Sequence, residues 1–134
     1  MSSAAEGGST RPSSGSRRQT VGRVGEEAAA AYLLESGHRI VERNWRCRTG
    51  ELDIIAEYGE ILIIVEVRAR RAGGRFGTAA ESVDARKQLQ VRLTSEVYRR
   101  GVRASDRSVR FDVITVLMDY QLSILELRHI EGAF

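Results

Sequence analysis

GELDIIAEYGEILIIVEVRAR, from Gly50 to Arg70, reads as two β-strands, ELDIIAEY and EILIIVEVR, joined by a tight turn at Tyr58 and Gly59. The second strand is almost wholly apolar, yet Glu66 stands near its end, with Arg68 two positions on and Asp53 inside the first strand. A buried unpaired carboxylate costs several kcal/mol or is forced to neutralise. These two acids therefore need an explanation. Alternate strand residues share a face, so Glu66 projects with Arg68, Leu62 and Ile64, and Asp53 with Glu51. If the hairpin brings Asp53 beside Glu66, two carboxylates converge on one point. Such a pair suits Mg²⁺ or Mn²⁺, hard cations that take carboxylate oxygens and keep waters for a substrate phosphate. The plainer alternative leaves both acids at strand ends in water, or pairs Glu66 with Arg68 or Arg70, because short-range ion pairs are common.

Working outward, HRIVERNWRC is a further strand, and the short turns predict an antiparallel meander of three. Thr20 is a plausible N-cap for a helix through VGRVGEEAAAAYLLES that stops at Gly37. Residues 1–20, rich in Ser, Gly and Arg without apolar periodicity, read as a disordered tail before one domain at 21–134. RRAGGRFGT is a basic, glycine-rich loop that lacks the Gly-Lys-Ser/Thr ending of a P-loop. A helix is expected from about Ala80 to Arg100, ending at Gly101, followed by strands in SVRFDVITVLMD and LSILELRHI. The order is α-β-β-β-α-β with one more strand, an α/β arrangement. Its second helix allows strands three and four to run parallel through a right-handed crossover.

With Val83 as the origin of a helical wheel, Leu89, Val91, Leu93, Val97 and Tyr98 spread over one broad arc. Lys87, Gln90 and Thr94 fall within that arc, toward the sheet. Lys87 is the only lysine, against 20 arginines. Aimed inward, it either has a charged partner or a task in the chemistry, or it snorkels to water. Glu26 shares a stripe with Ala29, Ala30 and Leu33. It either adds a third carboxylate or is a first-turn acid favoured by the helix dipole, the simpler reading. Asp112 in RFDVIT is an ion-pair partner for Arg110 or for a side chain of the second helix, and Trp45 a core or sheet-face anchor.

Composition narrows the classes. The chain has 134 residues, 42% hydrophobic and 29% charged, ordinary for a globular domain. No apolar run reaches the roughly 20 residues of a membrane span, and no secretory h-region is present. One cysteine, Cys47, suits a reducing cytoplasm. With only His38 and His129 beside it, the usual Cys/His zinc site is not expected. Of the net charge of +3, residues 1–20 supply +2 through Arg11, Arg17 and Arg18 against Glu6, so the remainder carries about +1. That balance is compatible with nucleic acid without arguing for it.

The succession GEEAAAAYL, RNWRCRTGELDIIA, IIVEVRAR, a helix carrying Lys87, and RFDVITV resembles the uncharacterised YraN-like family, from about Val21 to the C-terminus. That family is grouped with restriction-endonuclease-like nucleases and is similar in site layout to archaeal Holliday-junction resolvases. The resemblance implies a restriction-endonuclease-like αβββαβ core, a central mixed sheet flanked by helices. It also implies Glu26, Asp53 and Glu66 as ligands of Mg²⁺ or Mn²⁺, and hydrolysis of DNA phosphodiesters, branched DNA included. Resolvases of this layout work as symmetric dimers, which implies a homodimer. The chain departs from the family's Glu-x-Lys element by placing Arg68 where lysine is expected. A guanidinium stays charged and cannot act as a base, though it can stabilise phosphate charge. Lys87 is a candidate stand-in. The catalytic set is then Asp53, Glu66, Arg68 and Lys87, and the alternative is a decayed nuclease scaffold that serves as a nucleic-acid-binding or interaction module.

Overall fold

The computed structural model describes residues 14–73 and 83–134. Helix α1 runs Ser14–Glu35, strand β1 Arg39–Cys47, β2 Gly50–Tyr58 and β3 Ile61–Arg71. Helix α2 runs Ala85–Gly101, β4 Val109–Met118 and β5 Ile124–Ile130. The five strands form one sheet in the order β1-β2-β3-β4-β5. β1, β2 and β3 pair as the expected antiparallel meander. β3 and β4 run parallel across the α2 crossover, and β5 returns antiparallel to β4. The chain is thus a mixed α/β domain with a five-stranded mixed sheet.

Two boundaries differ from the sequence reading. α1 begins at Ser14, so Thr20 lies inside the helix rather than capping it, and residues 14–20 are helical rather than tail. Arg17, Arg18 and Gln19 are good helix formers and carry the helix back past Thr20. Residues 1–13 lie outside the described residues. The end of α1 is as expected: Gly37 adopts φ +90, and the His38 N–H reaches back 2.9 Å to the Leu33 carbonyl. α2 begins at Ala85, not Ala80. Its N-cap is Asp84, whose side chain accepts the Lys87 N–H at 2.8 Å. Residues 80–82 and most of the glycine-rich loop lie outside the described residues.

Each sheet face carries its own core. Ala29, Ala30 and Leu33 of α1 pack on Ile54, Ile63, Val65, Ile114 and Met118. On the opposite face Val91 and Tyr98 of α2 pack on Leu52, Ile55, Leu62, Ile64 and Phe111. The arc expected for α2 is corrected in part. Leu89 and Leu93 are more than half exposed, Val97 is exposed, and the buried residues are Val91, Thr94, Ser95 and Tyr98. Small polar residues face inward because the start of β2 comes very close. A Cβ on Gly50 would collide with the Gln90 side chain and sit 3.1 Å from Thr94 Oγ1.

α1 approaches β3 just as tightly. A Cβ on Gly25 would fall far inside van der Waals contact of Ala69 Cβ, whereas one on Gly22 would meet nothing within 4 Å. Gly25→Ala therefore destabilises the fold by about 1–3 kcal/mol through overpacking, despite its better helix propensity. Gly22→Ala leaves stability unchanged or raises it by up to about 1 kcal/mol. Urea unfolding of the two variants checks both signs.

Candidate functional site at the strand fork

The β2–β3 ladder runs from Tyr58 opposite Ile61 to Ile54 opposite Val65 and stops there. Beyond that point β2 continues to Gly50 paired only with β1, while β3 continues to Arg71 paired with β4. The two strands diverge, and Asp53 and Glu66 stand at the fork. Side chains replace the missing ladder. Asp53 Oδ2 accepts the Val67 N–H at 2.9 Å, and Glu66 stands beside it with its carboxylate buried. A carboxylate on β2 thus satisfies an amide of β3, and Asp53 and Glu66 stand close enough to repel one another.

Glu66 is 4% exposed, and its Oε2 is buried without a hydrogen-bond partner. Lys87, from the first turn of α2, places Nζ 3.7 Å from Glu66 Oε1. Its inward direction therefore has a charged partner. Burial pushes the Glu66 carboxyl up to about 8, the nearby Asp53 carboxylate adding to the effect and Lys87 opposing it. Burial likewise pushes Asp53 up to about 6, against the bond from Val67 and with repulsion from Glu26.

Glu26 sits in the middle of α1, so the first-turn dipole reading does not hold. Its Oε1 accepts from Asn44 Nδ2 at 2.9 Å and Arg43 Nη2 at 3.4 Å. Asn44 reaches it from a left-handed conformation, φ 54, directly across β1 from the fork. Glu26 and Asp53 line one groove of about 1100 Å³. Among the described residues no group of three or more His, Cys, Asp or Glu side chains is placed to hold a metal ion. The geometry thus gathers Asp53, Glu66 and Lys87, and keeps Glu26 at the groove wall tied to β1.

The same groove is lined by Arg18, Arg23, Arg46, Arg68, Arg70 and Arg71. Sequence reasoning missed the first three. Arg18 fell within the presumed tail, and the five-residue step from Arg18 to Arg23 gives no stripe until the helix start is known. Asp112, by contrast, is a structural acid. Arg110 grips it through Nε and Nη2, both at 2.9 Å, His129 Nε2 lies 2.7 Å away and the Gly132 N–H donates at 3.0 Å. These bonds hold its carboxyl below the usual range although burial pushes the other way. Trp45 packs edge-on against Tyr98, with ring centroids 5.2 Å apart, as a sheet-face anchor.

The raised pair sets a pH dependence. Acids with folded values above their ordinary ones favour the fold while protonated. Their contribution is complete below about pH 4 and is lost as pH rises through about 6 for Asp53 and about 8 for Glu66. Without divalent cations, Glu66→Gln removes the upper part of that fall. Unfolding free energies measured across this range then stay flat for the variant where the unsubstituted protein declines. Parallel curves would refute the assignment.

No helix among the described residues is long and apolar enough to cross a membrane. The sequence profile of "Uncharacterised protein family UPF0102" matches residues 25–116, which include Glu26, Asp53, Glu66 and Lys87. A UPF0102 protein of Moorella thermoacetica is 46% identical over 117 residues, covering 87% of this chain and 97% of the relative. One from Pelotomaculum thermopropionicum is 45% identical over 117 residues, with the same coverage of both chains. Another, from Rhodococcus opacus, is 40% identical over 114 residues, covering 85% of this chain and 95% of the relative. With the fork, α2, the C-terminal half of α1 and most of the parallel β3–β4 pair inside the matched span, this chain belongs to the uncharacterised protein family UPF0102.

Proposed function

We propose that the fork is a Mg²⁺- or Mn²⁺-dependent site for hydrolysing DNA phosphodiesters, carried on a restriction-endonuclease-like core. The observation that carries this reading is the buried, unpartnered Oε2 of Glu66 beside Asp53, with Lys87 Nζ 3.7 Å from the other oxygen. Two desolvated carboxylates held against each other fit a hard cation, which compensates both charges where the sheet cannot. Asp53 and Glu66 would hold it, with Glu26 at the groove wall. When bound, such a cation polarises the scissile phosphate and lowers the pKa of an attacking water.

The chain's own residues supply the rest. The Val67 N–H fixes Asp53 and Lys87 holds one oxygen of Glu66, so little reorganisation is left when the substrate arrives. Lys87 brings an ammonium to Glu66, in a chain where Arg68 replaces the lysine expected on β3, and it stabilises negative charge developing on the phosphoryl oxygens. Arg68 remains a fixed cation at the groove. Arg18, Arg23, Arg46, Arg70 and Arg71 offer backbone phosphates a basic track leading to the fork. Branched DNA enters through the resolvase resemblance, so the substrate panel includes it.

The test is cleavage with Mn²⁺ on duplex, single-stranded, flapped and four-way-junction DNA. Cutting is expected on at least one of them, with Asp53→Ala reducing it to background and Lys87→Ala lowering the rate roughly 10²–10³-fold. Arg68→Ala is expected to weaken DNA binding without abolishing cutting. A protein that binds DNA but neither cuts it nor takes up Mn²⁺ would instead be a decayed scaffold acting as a binding module, the reading that Arg68 favours.

A further inference from the structure

Among the described residues β5 is an edge strand, and the hydrogen bonding of β4 fixes which of its main-chain groups point outward. The Leu62 N–H donates to the Ser108 carbonyl at 2.9 Å and the Ala72 N–H to the Met118 carbonyl at 2.8 Å. Even-numbered β4 residues are therefore spent on β3, and odd-numbered ones face β5. The bond from the Ala133 N–H to the Phe111 carbonyl, 2.7 Å, follows the same parity. Thr115 lies opposite Arg128 and Leu117 opposite Glu126, so the main chain of Arg128 and Glu126 is turned inward. The N–H and C=O of Leu127 and His129 then point away from the sheet.

The sequence around that edge is self-complementary. An antiparallel partner strand related by a two-fold axis at Leu127 pairs Leu127 with its own copy through the outward groups. The same axis sets Glu126 opposite Arg128 of the second copy, and Arg128 opposite its Glu126. Both are non-hydrogen-bonded pairs, where facing side chains come closest. Moving the axis to Leu125 or His129 loses both charge pairs. Ile124 and Leu125, 42% and 55% exposed, extend the same edge. The opposite edge is unsuited to such pairing, because β1 carries a register shift after Ile40 and left-handed Asn44.

We infer that β5 is a homodimerisation edge, joining two copies antiparallel about Leu127 into one continuous sheet. Glu126 lines the groove that holds Asp53. The junction therefore brings Arg128 of the second copy to the groove rim and sets two grooves on either side of one symmetry axis. An isologous contact of this kind closes on itself and stops at two copies. Pairing through one strand edge is small for a protein interface, so the dimer is weak and concentration-dependent.

The test is sedimentation equilibrium of the full chain from low micromolar to near-millimolar concentration, without DNA, on the unsubstituted protein, Glu126→Arg, Arg128→Glu and the double reversal. A monomer–dimer equilibrium is expected that each single reversal weakens by about tenfold or more and the double reversal restores. A monomer at every concentration overturns the inference. So does a dimer indifferent to the single reversals, which would place the contact elsewhere, as on exposed Leu89 and Leu93. Should a reversal unfold the chain by circular dichroism, amide exchange on the unsubstituted protein decides. The Leu127 and His129 amides become protected as concentration rises if the edge pairs, and stay fast if it does not. None of these outcomes depends on DNA cleavage.

Discussion

Everything at the candidate site depends on one departure from regular β-structure: the two central antiparallel strands part company after Ile54 and Val65. Buried amides left without a ladder must be paired by something else. Asp53 takes the Val67 N–H, while Glu66 lies buried beside it with one oxygen left without a partner. Asp53 at the fork thus pairs an amide that the ladder no longer reaches. The groove that Asp53 lines lies beside this divergence, with residues of α1, β1 and β3 on its walls.

The electrostatic consequence follows from burial more than from any single neighbour. Both carboxyls are pushed up first by desolvation, and their proximity adds to it. Lys87 opposes that rise from the first turn of α2, where the Asp84 cap fixes the helix start and hence the lysine's direction. Gly50 lets α2 come down onto β2 closely enough for the lysine to reach. A glycine contact, a helix cap and an ion pair thus act together on one buried acid, which ties the second core of the sheet to the candidate site at the fork.

The sequence was legible wherever a period or a turn carried the information. The three-strand meander, the parallel crossover and the stop at Gly37 came from alternation, loop length and one glycine. The convergence of Asp53 and Glu66 came from strand parity. Three things were not legible, each for a physical reason. The start of α1 lay hidden in a Ser/Gly/Arg-rich segment whose helix is extended by propensity, without an apolar stripe. The buried face of α2 was misjudged because Leu89, Leu93 and Val97 look like core, while the close approach of Gly50 selects Thr94 instead. The fate of Glu26 depended on the left-handed turn at Asn44, which brings the carboxamide to it and which no local pattern announces. The arginine track was invisible for a related reason, since Arg18, Arg46 and Arg70 come from three different elements.

In the proposed reading Asp53 and Glu66 form one protonated, cation-seeking unit. It is tested most directly by calorimetric titration of Mn²⁺ near neutral pH in two buffers of different ionisation enthalpy. The account predicts binding accompanied by release of about one proton, because a cation must displace what the raised carboxyls hold. It also predicts loss of that signal in Asp53→Asn and in Glu66→Gln. Absence of binding, or binding that releases no proton and survives both substitutions, would contradict it.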